Sequence, residues 1–181
     1  KLNANPAEHP ILIAEALTNT MYSRKKICEL LFEEMHVPAL QLVPQALLVA
    51  YARGTVTGVI VDSGDGATHV VPVAENYILD QNVRCIDIAG RALTQHLAKL
   101  LTKRGYPLHE LLDFETARKI KEELCFVSAD LCIDRRIVNE TTAYTVPYEI
   151  KEDSILKMDR ERFEAPEILF SPELGDHVCD G

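Results

Sequence analysis

The chain of 181 residues is acidic, with a formal net charge of −9 at pH 7, and 47% of its residues are hydrophobic. This length fits one domain or two small ones with a real core. The negative charge argues against a nucleic-acid partner, because binding phosphates requires a basic face. No apolar run is long enough to span a bilayer. The five cysteines form no CxxC pair, which indicates buried thiols in a reducing compartment and neither a metal site nor a disulfide framework.

Strands and helices alternate at the start of the chain. Ser23 is the predicted N-cap of the first helix, and Gly54 ends the second. Pro44 stands before that second helix, where a proline is tolerated. The predicted elements are a strand at residues 10–16, a helix at residues 24–35, a strand at residues 40–43 and a helix at residues 45–53.

A β-branched run at residues 59–61 leads into an acidic, glycine-rich turn, and a second apolar run at residues 70–73 leads out. Asp65-Gly66 between two such runs predicts a hairpin, because glycine tolerates a positive φ. An ordinary hairpin turn is the simpler interpretation. The alternative is an anion site, since Ser63-Gly64-Asp65-Gly66 presents several exposed amides in a row. Asp62, at the strand end, is placed to hold a hydrated divalent cation on that anion.

The second half predicts a helix-rich region after a polar connection at residues 77–83. A strand at residues 85–89 ends at Gly90, and leucines at helical spacing follow it. Asp113 is the predicted cap of the next helix. The remaining predicted elements are a helix at residues 91–104, a helix at residues 113–126, one or two strands at residues 138–150, a strand at residues 155–158, and a short helix at residues 167–170.

Two residues near the hairpin are candidates for positioning a water. Gln45, at a helix start, can orient a water towards a phosphate without acting as a base. His69 follows the turn and can help to move a proton from that water. Taken alone, each is more simply a surface amide and a partly buried strand histidine.

Three charged residues, Arg118, Lys121 and Glu122, share one helix face because they are spaced by three and four. Their stems can pack on a purine base while their charged ends reach ribose hydroxyls. The alternative is a solvated helix face with internal ion pairs, which is common. Gly90 allows a close backbone approach to a ligand, or is simply a glycine at a helix start.

The turn Asp62-Ser63-Gly64-Asp65-Gly66-Ala67-Thr68-His69 resembles the second phosphate loop of the actin family. Other family motifs follow in the same order, and the resemblance extends over nearly the whole chain without a gap. These motifs are Glu8-His9-Pro10, Gln45-Ala46, Thr57-Gly58, Asp87-Ile88-Ala89-Gly90-Arg91, Arg104-Gly105-Tyr106, Ile120-Lys121-Glu122, Leu124-Cys125, Glu161-Arg162-Phe163 and Pro166-Glu167.

The resemblance implies an α/β fold, the actin-like ATPase fold of the ribonuclease H-like class, with a mixed five-stranded sheet flanked by helices. It implies a core at residues 1–88, a helix-rich inserted subdomain at residues 89–177 on the adenosine side, and a tail at residues 178–181. The implied ligands are ATP and Mg²⁺. Phe114-Glu115-Thr116 and Glu140-Thr141-Thr142 are closer to an actin-related protein of the filament-branching complex than to actin itself.

The resemblance also implies a role for each site residue. Asp62 holds the metal through water, and Gln45 and His69 place the attacking water. The remaining residues bind the nucleotide: Ser63, Gly64, Asp65 and Gly66 at the phosphates, and Gly90, Arg118, Lys121 and Glu122 at the adenosine.

Some positions depart from the family pattern. The first phosphate loop and the later glycine-rich adenine loop have no counterpart, so we expect a fragment, incomplete at both ends, that is inactive or binds ATP weakly. Two loops that make filament contacts in actin differ, which puts self-polymerisation in doubt. The departures are Pro44, Ala67, Asn76, Asp80, Ala92 and Lys151-Glu152-Asp153.

We therefore expect an ATP-binding cytoskeletal protein in the cytoplasm, whose partners are actin and other subunits of an actin-nucleating complex. ATP hydrolysis is expected only of the full-length protein. Two alternatives stay open: an actin-fold protein with a structural or assembly role, and a small-molecule kinase of the same superfold.

Overall fold

The structure is a computed structural model that describes residues 4–106, 114–151 and 154–175. The chain forms two compact units, Lys1–Asp62 with His69–Arg84, and Ser63–Thr68 with Cys85–Gly181. The predicted division at residue 88 stays a prediction. The predicted cap Asp113 and the tail at residues 178–181 lie outside the described residues.

The first unit begins with two parallel strands joined by a helix. Strand β1 (Ile11–Glu15) pairs in parallel with β2 (Leu40–Pro44), and Ile11 lies opposite Leu40. Helix α1 (Met21–Glu29) connects them and continues into a π-helical turn, Leu30–Glu34.

The predicted cap of helix α1, Ser23, was wrong. Thr20 is the N-cap, because its hydroxyl accepts a hydrogen bond from the Ser23 amide at 3.2 Å. Both residue types cap well, and the helix therefore starts a turn earlier than its apolar pattern indicates.

Helix α2 (Gln45–Ala52) follows β2 directly, with Pro44 at its N-cap and Gly54 at φ 68° just past its end. Strand β3 (Gly58–Ser63) then pairs with β4 (Thr68–Ala74), which confirms the predicted hairpin. Neither Gly64 nor Gly66 has a positive φ, so the predicted backbone reason for Gly66 was wrong. The connection is longer than the two-residue turn in which Gly66 requires that φ.

The polar connection predicted at residues 77–83 contains regular structure. Strand β5 (Tyr77–Ile78) pairs antiparallel with β4, and a 3-10 helix, Asp80–Asn82, precedes β6 (Arg84–Ile86), which also pairs with β4. The turn from β4 to β5 consists of Glu75 at φ 50° and Asn76 at φ 69°. Asparagine adopts this left-handed conformation more readily than most residues, so Asn76 suits this turn.

The second unit has a core between helices and a hairpin. Helix α3 (Gly90–Lys103) and helix α4 (Phe114–Leu124) are followed by α5 (Leu131–Glu140), by strands β7 (Val146–Lys151) and β8 (Ser154–Met158), and by the short helix α6 (Glu161–Glu164). The core residues are fully buried apolar side chains: Leu97, Leu101, Ile120, Leu156, Met158 and Ala165. The predicted short helix at residues 167–170 is a 3-10 helix, Pro166–Leu169.

The strand predicted from residue 138 was wrong at its start. Val138 lies in helix α5, and the strand begins at Val146. The carboxylate of Asp130 caps α5 by accepting from the amides of Cys132 and Ile133, at 3.0 and 3.1 Å. This cap and the helical spacing of the apolar residues override the β preference of Val138.

The mixed α/β fold class is confirmed, with the described strands distributed over sheets of two, four and two strands in place of one five-stranded sheet. Among the described residues, β1 bonds only to β2 and β7 only to β8, so no single sheet joins all the strands. No helix in the described part of the chain is long and apolar enough to cross a membrane.

Candidate functional site

The glycine-rich turn is closed by a hydrogen bond from the Gly64 amide to the Ala67 carbonyl at 3.1 Å. This bond occupies one of the amides expected to bind phosphate. The amides of Asp65 and Gly66 donate to no acceptor within the described residues, and both residues are exposed. Two adjacent amides of this turn are therefore free to bind an anion.

Below the turn, hydroxyl groups connect the strands to the next segment. Ser63 and Thr68 share a hydrogen bond of 2.8 Å between their side-chain oxygens, and the Thr68 hydroxyl donates to the Ile88 carbonyl at 2.7 Å. The side chain of Ser63 thus stabilises the turn.

The turn is attached to the start of helix α3 through its backbone. The Gly90 amide donates to the Gly64 carbonyl at 3.0 Å, and the Arg91 amide donates to the Asp65 carbonyl at 2.8 Å. The first amides of a helix have no partner within the helix, so the two turn carbonyls cap α3.

A side chain at Gly90 would crowd its neighbours. A Cβ built there would lie 3.2 Å from the Gly64 carbonyl oxygen and 3.4 Å from the Lys121 ammonium. The close approach of three segments at this point therefore depends on glycine.

A cavity of about 470 Å³ opens beside this junction. It brings together three segments that are far apart in sequence: the turn, the start of α3, and one face of α4. Its lining residues are Gly64, Asp65, Gly90, Arg91, Phe114, Glu115, Arg118, Lys121 and Glu122. Six of the predicted nucleotide-binding residues lie here, whereas Ser63 and Gly66 do not line the cavity.

The charged residues of α4 are held by short contacts. Arg118 pairs with Glu115 at 2.8 Å and with Glu122 at 3.2 Å, and these contacts, Glu115 first, raise the pKa of Arg118. Such ion pairs are expected of a solvated helix face, which was the simpler interpretation of these charged residues. The same helix face also lines the cavity. The Lys121 ammonium donates to the Gly90 carbonyl at 2.9 Å, so Lys121 secures the turn junction as well.

The first unit contains a separate, small cavity of about 40 Å³. It brings together the three residues predicted to act on the metal and the water: Gln45, Asp62 and His69. The other lining residues are Ala16, Leu17, Ala46 and Val71. The buried Nδ1 of His69 has no hydrogen-bond partner among the described residues.

This small cavity suits a water molecule. A buried water requires about 10–15 Å³ and two to four polar partners, and an unpaired ring nitrogen, an amide and a carboxylate line the space.

A magnesium ion also suits the residues present. No cluster of three or more His, Cys, Asp or Glu that could cage a metal occurs within the described ranges. Mg²⁺ keeps several waters and is usually held by one or two carboxylates and by phosphates, so a single Asp62 fits it.

Sequence reasoning did not assign three residues that line the larger cavity, Arg91, Phe114 and Glu115. Arg91 stood in a quoted motif, next to Gly90, and that adjacency was the available signal. Phe114 and Glu115 precede Arg118 by four and three positions, which places them on the same helix face.

Similarity to known proteins identifies the family of this chain. The Actin family model matches residues 1–178, nearly the whole chain. The chain belongs to the actin family.

Three relatives to which the chain is similar carry the same name, actin-related protein 2. The chain is 47% identical to actin-related protein 2 of Saccharomyces cerevisiae over 166 residues, covering 92% of this chain and 42% of that protein. It is 42% identical to actin-related protein 2 of Acanthamoeba castellanii, covering all of this chain and 47% of that protein. It is 40% identical to the Arabidopsis thaliana protein of the same name, covering all of this chain and 46% of that protein. This actin-family chain thus spans less than half the length of these relatives.

Proposed function

We propose that these residues belong to an ATP-binding actin-related protein that acts in the nucleation of branched actin filaments as part of a multi-subunit complex. The observation that carries the proposal is the cavity that joins the turn, Gly90 and the charged face of α4 in an actin-family chain. The similarity to proteins named actin-related protein 2 supports the branch of the family.

The nucleotide-binding roles follow the contacts of the second unit. Arg118, Lys121 and Glu122 hold the adenosine, with the base packed on side-chain stems and the ribose hydroxyls bonded to charged ends. The free amides of Asp65 and Gly66 bind phosphate oxygens, as expected of adjacent exposed amides. The role of Gly64 is to close the turn, since its amide is already bonded to the Ala67 carbonyl.

The hydrolytic roles are assigned to the first unit. Asp62 holds Mg²⁺ through water, and the ion neutralises phosphate charge when bound. Gln45 and His69 hold the attacking water, and His69 Nδ1 is the free nitrogen that bonds to it. Because the residues position a water and stabilise charge, their contribution is to the chemical step.

The proposed setting is the cytoplasm and the actin cytoskeleton, with actin and other subunits of the nucleating complex as partners. The bound nucleotide biases the protein between conformations that those partners distinguish. The similarity to actin-related protein 2 of Saccharomyces cerevisiae and of Arabidopsis thaliana supports this setting.

The test is a single-turnover measurement of phosphate release with the protein expressed from its complete reading frame. We expect tight Mg-ATP binding followed by phosphate release with no added sugar or other acceptor. Tight binding without release would favour the structural alternative. Release that requires a small-molecule acceptor would favour the kinase alternative.

A further inference from the structure

The turn that is proposed to bind phosphate carries a negative charge of its own. Asp65 lines the cavity beside the turn, and its carboxylate is more than half exposed. A carboxylate close to a bound polyphosphate repels it, and at an exposed position added salt screens this repulsion. The turn therefore requires something that offsets this charge.

Arg91 meets that requirement with two contacts to one oxygen. Its Nε donates to Asp65 Oδ2 at 3.1 Å, and its Nη2 lies 2.9 Å from the same atom. The Arg91 amide also donates to the Asp65 carbonyl at 2.8 Å. Asp65 is thus held at both its side chain and its backbone by one residue at the start of α3.

We propose that Arg91 is a positioning residue for the phosphates, which neutralises Asp65 and fixes the turn so that the amides of Asp65 and Gly66 are presented to the anion. This inference rests on the proposed nucleotide site. Arg91 acts through Asp65, because its guanidinium is engaged with that carboxylate in the structure.

Three consequences separate this role from a general effect on folding. Adenosine has no phosphate, so its binding is insensitive to the charge on Asp65. The penalty for an unpaired Asp65 is electrostatic, so it decreases as salt is added. Removing the charges of Arg91 and Asp65 together restores much of the ATP affinity that is lost when the Arg91 charge alone is removed.

The experiment measures ATP and adenosine affinity by calorimetry at low and high sodium chloride, with the protein from its complete reading frame. The variants are Arg91→Gln, Arg91→Lys, Asp65→Asn and the double variant Asp65→Asn with Arg91→Gln. The matched control is Arg135→Gln, another half-exposed arginine of the second unit, which pairs with Glu164 at 3.5 Å and does not line the cavity.

We expect Arg91→Gln to weaken ATP binding about fivefold at low salt, in the range of an exposed ion pair, with adenosine affinity unchanged. Arg91→Lys and the double variant are expected to recover most of the ATP affinity, and Arg135→Gln is expected to match the parent.

Equal losses for ATP and adenosine in Arg91→Gln would overturn the inference in favour of a structural role. So would unchanged ATP affinity, or a double variant as weak as the sum of the single ones. A parent protein that binds neither ligand would overturn the proposed function itself, together with this inference.

Discussion

Gly90 lies where the turn, the start of helix α3 and Lys121 pack closely together. We predict that Gly90→Ala weakens nucleotide binding and lowers the free energy of unfolding by about 1–2 kcal/mol, because its methyl group forces the Gly64 carbonyl and Lys121 apart. Denaturant unfolding and ATP titration measure the two effects.

The control for this prediction is Gly58→Ala. A Cβ at Gly58 meets nothing within 4 Å, and Gly58 has no positive φ. Equal effects of the two substitutions would show that steric crowding at Gly90 is not what requires glycine.

Gln45 lies at the small cavity beside His69 and is itself exposed. We predict that Gln45→Ala slows phosphate release about 10- to 100-fold while ATP affinity stays within about twofold, because a residue that only positions water acts on the chemical step. Gln41→Ala, on β2 and away from this cavity, is the control. A loss of affinity as large as the loss of rate would assign Gln45 a structural role.

Burial raises the pKa of the Cys125 thiol to about 12. The folded state therefore favours the neutral thiol, and its stabilising effect is complete below pH 9 and is lost as the pH rises towards 12. We predict that the free energy of unfolding of the parent falls more steeply between those pH values than that of Cys125→Ala. Cys132→Ala, at an exposed cysteine, is expected to keep the parent's slope, and a parent slope equal to that of Cys125→Ala would contradict the assignment.

At the scale of elements, the strongest sequence patterns gave the right structures. Helix α3 was predicted because its leucines repeat at helical spacing, and Leu97 and Leu101 are fully buried. The β3–β4 hairpin was predicted because apolar runs flank an Asp-Gly turn. In both cases the local pattern and the tertiary packing agree, so sequence alone was sufficient.

Other elements were predicted wrongly because side-chain caps help to set their bounds. Helix α5 depends on the cap by Asp130, and its β-branched residues alone favour a strand. The start of α1 depends on which of two hydroxyls, Thr20 or Ser23, accepts the amide bond. Spacing does not distinguish such competing caps, which differ by about 1 kcal/mol or less.

The β4–β5 hairpin contains a strained position. Glu75 adopts φ 50°, which is unfavourable for a residue with this side chain, and it precedes Asn76 at φ 69°. We predict that Glu75→Asn raises the free energy of unfolding by about 0.5–1 kcal/mol, because asparagine accepts the left-handed conformation.

The control is Glu149→Asn, at an exposed strand position in the β7–β8 hairpin, which is expected to give no stabilisation. Denaturant unfolding of the 181-residue chain measures both variants. An unchanged or lower stability of Glu75→Asn would show that the turn is not strained in solution.

At the scale of the whole molecule, the candidate site consists of residues that only the fold brings together. The family resemblance supplied Gly64, Gly90 and the charged face of α4, and the structure places them around one cavity. The bond of Gly64 to Ala67 and the pairing of Arg91 with Asp65 were not predictable, because both depend on the folded backbone of the turn. Family membership is shown along nearly the whole chain, whereas ATP binding and hydrolysis stay proposals.

We propose that Asp62 holds the metal when this actin-family protein binds Mg-ATP. Calorimetric titration of ATP, with and without Mg²⁺, into the protein from its complete reading frame tests it most directly. The parent is compared with Asp62→Ala and with Asp80→Ala, an exposed carboxylate of the first unit away from the small cavity. We predict that Mg²⁺ strengthens ATP binding in the parent and in Asp80→Ala, and that Asp62→Ala loses most of this metal-dependent gain. Equal Mg-ATP affinity in the parent and Asp62→Ala, or no ATP binding by the parent, would contradict it.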